Sequence, residues 1–174
     1  MSTPPDRLPR PAARPDPGPG RESVWDYPRP PRLEPSTRRI TVELGGVTIA
    51  DSSRAMRILE TSHPPVYYIP LADIVAGVLT PSRAGESWCE WKGSAAYYDV
   101  AAGGRSAPRG AWTYRTPSAT YAAIRDAVAF YPSAMDRCTV DGVVVTPQPG
   151  DFYGGWITPD IVGPFKGAPG TRGW

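Results

Sequence analysis

The sequence predicts a mainly β fold, a compact antiparallel sheet or small barrel with two or three short helices. Three observations point there. Apolar residues alternate with polar ones in several short runs, glycine pairs and Asp-Gly separate those runs at close spacing, and few segments carry a helical apolar stripe. The 174 residues, 40% of them hydrophobic and including 6 Trp and 9 Tyr, suit one core with extensions. At roughly 25 cal/mol per Å² buried, that apolar area stabilises such a domain without a disulfide or a metal.

The first segment, residues 1–24, reads as a disordered Pro/Arg-rich arm. Of 23 prolines, 11 fall in the first 35 residues, and proline removes the amide donors that a helix or ladder needs. Anchoring begins at Val24-Trp25-Asp26-Tyr27-Pro28, where two aromatics imply packing on the domain that follows. That domain is expected over residues 25–149. Ile40, Val42 and Leu44 alternate with Thr41 and Glu43, and Gly45-Gly46 turns the chain into Val47-Thr48-Ile49-Ala50, a hairpin. Ser52 to Glu60 fits either a helical face or one side of a strand. Val66 to Ile69 reads as a strand, and Leu71 to Leu79 as a short helix stopped by Pro81.

Further strands are expected over Ser87 to Lys92, Ala95 to Val100, Ala111 to Arg115 and Val128 to Tyr131, with a short helix over Ser118 to Asp126. Cys138 to Val145 reads as a second hairpin with Asp141-Gly142 at its turn. Residues 150–174 form an irregular Gly/Pro-rich tail. It carries Phe152, Tyr153, Trp156, Phe165 and Trp174, so docking along the domain is the expectation.

Charge and cysteine usage bound the function. A net charge of +2 is too small to mark nucleic acid or an anionic membrane as a main partner. Cys89 and Cys138 belong to no CxxC pair, and with one His in the chain neither a metal site nor a cofactor is expected. Met1 to Arg21 lacks the apolar stretch of a signal peptide, and no run approaches the roughly 18 apolar residues of a membrane span, so a soluble, cytoplasmic protein is expected.

The densest chemistry is Glu60-Thr61-Ser62-His63-Pro64-Pro65-Val66-Tyr67-Tyr68-Ile69-Pro70. The prolines restrict the backbone that presents His63, a natural proton-transfer group near neutral pH, with Glu60 close enough to orient it. The competing reading makes His63 a turn residue and pairs Glu60 with an arginine. In Cys89-Glu90-Trp91-Lys92-Gly93, strand geometry separates Cys89 from Lys92 unless Lys92 begins the turn. In a turn, its ammonium could hold an anion; otherwise Cys89 is inert packing and Lys92 an ion-pair partner. Tyr67-Tyr68, Tyr97-Tyr98, Trp112 and Tyr114 alternate in and out, lining either core or groove.

Four segments in order, Ile49-Ala50-Asp51-Ser52, Glu60 to Pro70, Cys89 to Gly93 and Ala111-Trp112-Thr113-Tyr114, resemble the bacterial domain-of-unknown-function family 427, some of whose descriptions use a nucleotidyltransferase name. The resemblance covers about residues 38 to 145 and implies a compact β-rich domain with no established activity. The residues supply neither a GxxxxGK[ST] phosphate loop nor a closely spaced acidic pair after a Gly-Ser turn.

The candidate site therefore comprises His63 and Glu60 for proton transfer and orientation, and Ser62, Tyr68, Cys89, Lys92, Tyr98, Trp112 and Tyr114 for binding a small polar or anionic ligand. Whether catalysis follows is open. The alternative is a non-catalytic interaction or self-association module using the arm and tail, and a homo-oligomer is compatible with either.

Overall fold

The hairpin at the centre of the chain shows how the pattern becomes structure. Ile40–Leu44 buries Ile40, Val42 and Leu44 while Thr41 and Glu43 stay half-exposed, the period-two burial of a strand with one face on a core. It pairs antiparallel with Val47–Ser52, and both turn glycines have positive φ. Gly45 also meets a second turn: a Cβ there would lie 2.1 Å from the Ala102 carbonyl oxygen, and one on Gly103 would lie 1.9 Å from the Gly45 oxygen. The computed structural model describes residues 8–11, 16–83, 85–150 and 152–174.

Three main sheets follow. In the first, Val128–Phe130, Arg105–Thr113, Gly93–Ala102 and Leu79–Pro81 lie side by side in that order, and Ser87–Cys89 also pairs with Gly93–Ala102. Val143–Val144, Arg137–Val140, Ile40–Leu44 and Val47–Ser52 form the second. The third is Arg32–Pro35, Met56–Leu59 and Val66–Tyr68. All their pairings are antiparallel, and an Ile69–Val128 bridge joins the third sheet to the first.

Neighbouring residues are sorted between two cores because strand side chains alternate. Tyr67, Ala111 and Phe130 enter a core with Ile40, Val42, Ile49, Val100 and Val140. Tyr68, Trp112 and Ala129, one position along, enter another with Tyr97, Tyr114, Tyr121 and Ile124. A smaller cluster gathers Val24, Trp25, Tyr27 and Leu59 with Ile161 and Trp174. Glu22–Ser23 pairs parallel with Ile161–Val162, and Arg57 ties Glu22 and Glu34 at 2.8 and 2.6 Å.

Several expectations change. No sheet closes on itself, so the barrel alternative falls. The helix expected over Leu71 to Leu79 is only a 3₁₀ turn at Leu71–Asp73, and Leu79 starts a strand. Sheet pairing takes the backbone instead: the Val75 amide donates to the Ile49 carbonyl, Ile74 bridges Ala50, and Asp73 binds Ser52 and Arg54. Ala119–Ile124 is likewise 3₁₀, kinked at Tyr121, and the described residues contain no α-helix. Met56–Leu59 resolves the ambiguous stretch as a strand, since Arg32–Pro35 and Val66–Tyr68 pair with its two edges. The expected disorder of residues 1–24 concerns a segment of which residues 1–7 and 12–15 lie outside the described residues; Leu8 within it donates from its amide to Gly170. No helix is long and apolar enough to cross a membrane among the described residues.

Candidate functional site

The second core does not fill completely. A cleft of about 420 Å³ opens over it, lined by Glu60, Tyr68, Cys89, Lys92, Trp112 and Tyr114 among others. Of the nine residues proposed from sequence, these six are brought to one concavity.

Lys92 reaches it through a tight connection. Cys89 pairs across the ladder with Gly93, so Glu90, Trp91 and Lys92 form the loop, and Gly93 takes a φ of 103 that a side chain would strain. Ser118 clamps that loop by donating its hydroxyl to the Trp91 carbonyl at 2.7 Å and its amide to the Lys92 carbonyl at 3.1 Å. Lys92 thus belongs to the turn and shares a cavity with Cys89. Its ammonium stands 5.7 Å from the centroid of the Tyr114 ring and forms no ion pair with a described residue. Burial pushes its pKa down, while the charges that Tyr68 and Cys89 carry once ionised and the charge of Glu60 push it up, and the net is above the ordinary lysine value. Lys92 is therefore a fixed cation at neutral pH.

The floor is aromatic. Trp112 donates its indole N–H to the Tyr68 hydroxyl at 3.3 Å, and the Tyr68 and Tyr114 rings lie 6.2 Å apart. Burial pushes both phenols' pKa values up, keeping them neutral donors. Cys89 is a free, half-exposed thiol.

Glu60 enters from the turn after Met56–Leu59. That turn is held by Tyr27-Pro28: the Thr61 hydroxyl donates to the Tyr27 carbonyl at 2.5 Å and the Thr61 amide to Pro28 at 3.2 Å. Arg29 Nη2 lies 3.2 Å and His63 Nε2 3.3 Å from one carboxylate oxygen, Oε2. Burial pushes the Glu60 pKa up, while the His63 hydrogen bond and the Lys92 and Arg29 charges push it further down, leaving it below the ordinary value. Glu60 is a carboxylate in the cleft wall.

His63 stands behind that wall. It is 7% exposed and does not line the cleft, although it touches Glu60 and meets the Tyr153 ring edge-on at 4.6 Å, both of which do. Its Nδ1 lies 3.1 Å from Gln148 Nε2. Ser62 is fully buried at a φ of 72, its carbonyl accepting from the Lys166 amide, and its hydroxyl finds no partner among the described residues. It does not reach the cleft. Tyr98 occupies the other face of its strand, in a groove of about 290 Å³ with Leu71, Ile74 and Val75.

Trp88, Tyr131, Phe152 and Tyr153 also line the cleft, and sequence reasoning left them out of the site. Trp88, beside Cys89, is 76% exposed, and Phe152 is 67% exposed. The adjacency of Trp88 to Cys89 was a usable signal. Tyr153 arrives from the tail and Gln148 from the last residues of the expected domain, and no local pattern marks either as part of the site. No group of three metal-ligating side chains occurs among the described residues.

These features define a mainly β domain of open sheets with an aromatic cleft lined by one lysine, Lys92, and two carboxylates, Glu60 and the exposed Glu90. The chain belongs to the family described as a domain of unknown function (DUF427), which matches residues 32–141. That span includes Glu60, His63, Tyr68, Cys89, Lys92, Trp112 and Tyr114, whereas Arg29, Gln148 and Tyr153 lie outside it. No curated protein matches the chain.

Proposed function

We propose that the cleft binds a small ligand bearing an anionic group, with Lys92 as its counter-ion and the aromatic walls against its body. The observation that carries this reading is the Lys92 ammonium inside an aromatic cavity with no ion pair to a described residue. A half-buried cation that forms no ion pair with a described residue is incompletely compensated, and an anion in the cleft supplies that interaction. Trp112, Tyr114 and Trp88 line the cleft with aromatic side chains for the rest of the molecule, a composition common to small-molecule sites. No reaction is assigned.

A thermal-shift screen of nucleotides, sugar phosphates and carboxylates tests it. A ligand present at 100 times its Kd stabilises the fold by about 2.7 kcal/mol, and that shift should vanish in Lys92→Ala. A broad panel without a shift would count against the reading, as would a shift that survives the substitution.

A second reading, self-association through the aromatic tail, is favoured by the exposure of Phe152 and Trp88. Light scattering of the full chain and of a Trp88→Ser/Phe152→Ser variant decides it. A monomer in both forms removes it.

A further inference from the structure

We infer that Gln148 locks His63 in its Nε2–H tautomer, keeping the ring N–H beside Glu60 Oε2 and leaving Glu60 Oε1 free of hydrogen bonds to described residues as the acceptor open to a ligand.

The argument starts from the amide of Gln148, whose orientation two backbone groups decide. The Gly155 N–H lies 3.0 Å from Oε1 and can only donate, so that atom is the oxygen. At the other end Nε2 lies 2.8 Å from the Lys166 carbonyl, which can only accept. Flipping the amide would break both contacts and oppose like groups. Nε2 is thus a donor, and it meets His63 Nδ1 at 3.1 Å. For that to be a hydrogen bond, Nδ1 must present its lone pair. The ring proton then resides on Nε2, 3.3 Å from Glu60 Oε2. An imidazolium would place an N–H against the Gln148 NH₂ and lose that bond.

The surroundings enforce the geometry. Gly155 packs so closely that a Cβ there would lie 2.5 Å from Gln148 Oε1 and 2.6 Å from the Pro64 ring. Gln148 is 3% exposed, and the Tyr153 ring closes another side of the imidazole. Little freedom remains for either ring or amide to turn.

The consequence concerns Glu60. Its Oε2 already faces the Arg29 guanidinium and the His63 N–H, while Oε1 makes no hydrogen bond to a described residue. Glu60 lines the cleft and His63 does not. A ligand with an N–H or O–H beside its anionic group would therefore donate to Oε1 while Lys92 holds the anion. This consequence rests on the cleft being a binding site; the tautomer itself does not. Gln148 is a positioning residue in this scheme, acting through His63.

The chain has one histidine, so its imidazole can be read without assignment. Long-range ¹H–¹⁵N NMR of the uniformly labelled full chain at neutral pH should show Nδ1 as an unprotonated, pyridine-type nitrogen and Nε2 as a protonated, pyrrole-type one. In Gln148→Glu, a carboxylate replaces the donor opposite Nδ1, and both ring nitrogens should become protonated at the same pH. An Nδ1–H tautomer or an imidazolium in the wild-type protein would overturn the inference whatever the variant does. So would a folded Gln148→Glu chain whose ring nitrogens match those of the wild type. Neither measurement needs a ligand, so the ligand screen can fail while the tautomer holds, and the reverse.

Discussion

Lys92 stands over the Tyr114 ring at 5.7 Å and has no carboxylate within ion-pairing distance among the described residues. A half-buried ammonium met chiefly by a ring face is partly compensated, since cation–π contact offsets only part of the lost hydration. Replacing it with an apolar chain of similar length removes the incompletely hydrated charge but also the Lys92 charge that helps hold Glu60 ionised, so the two effects oppose. Lys92→Met is expected to stay within about 1 kcal/mol of the wild type by calorimetry. A large loss would show that Lys92 has a structural partner.

The two cysteines should differ in reactivity. Cys138 is 2% exposed in the first core, and burial pushes its thiol pKa well up, suppressing the thiolate. Cys89 is half-exposed in the cleft. A maleimide at neutral pH should label one site per folded chain, mapped by mass spectrometry to Cys89. Labelling of Cys138 at a comparable rate would contradict the packing described.

Acid sensitivity follows from Glu60. Burial pushes its pKa up, but the His63 hydrogen bond and the Lys92 and Arg29 charges outweigh this, so its folded value lies below the ordinary 4.5. A group depressed in the folded state stabilises above its unfolded pKa, and that contribution is lost as pH falls through the folded value. The melting temperature should drop from about pH 5 downward. Asp73, Asp141 and Asp160 are also held low by arginine and other donors, so Glu60→Gln should flatten only part of the slope. An unchanged slope in that variant would mean the Glu60 contacts do not form in solution.

Glycines of one turn should respond differently. Gly45 and Gly46 both have positive φ, but only Gly45 abuts Ala102 and Gly103. Gly46→Ala carries the backbone penalty alone, about 1 kcal/mol. Gly45→Ala adds a clash with backbone that cannot move without separating two hairpins, and should cost at least about 2 kcal/mol more by denaturant unfolding. Equal effects would place the two turns apart.

The tail should behave as part of the core. Trp156 is 1% exposed, its indole N–H donates to the Phe130 carbonyl at 3.1 Å, and its amide donates to Pro65. Trp156→Ala is expected to cost about 3–5 kcal/mol, as for other buried aromatics, measured by chemical denaturation. A change below about 1 kcal/mol would mean the tail does not dock as described.

Much of the fold was legible because strand periodicity is local. Ile40, Val42 and Leu44 with Gly45-Gly46 state a hairpin in consecutive residues, and Asp141-Gly142 does the same for Arg137–Val140 and Val143–Val144. Leu71 to Leu79 misled because its apolar spacing suits a helix, whereas its amides and Asp73 found partners on Val47–Ser52 that no local pattern announces. Within the site, Glu60 and Lys92 stood out by chemistry and both reach the cleft. Ser62 stood out by its neighbours, but positive φ turns it into the packed interior. Gln148 was invisible, an ordinary amide 85 residues from the ring it contacts.

From the residues alone came the mainly β class, the turns and the family, because alternation, glycine placement and short motifs are properties of neighbouring positions. Tertiary structure decided which face of each aromatic pair meets the cleft, that Glu60 rather than His63 borders it, and that Gln148 governs the imidazole. Those outcomes depend on how separate strands and a distant tail meet in space, and a hydrogen bond across 85 positions leaves no periodic trace in the chain that makes it.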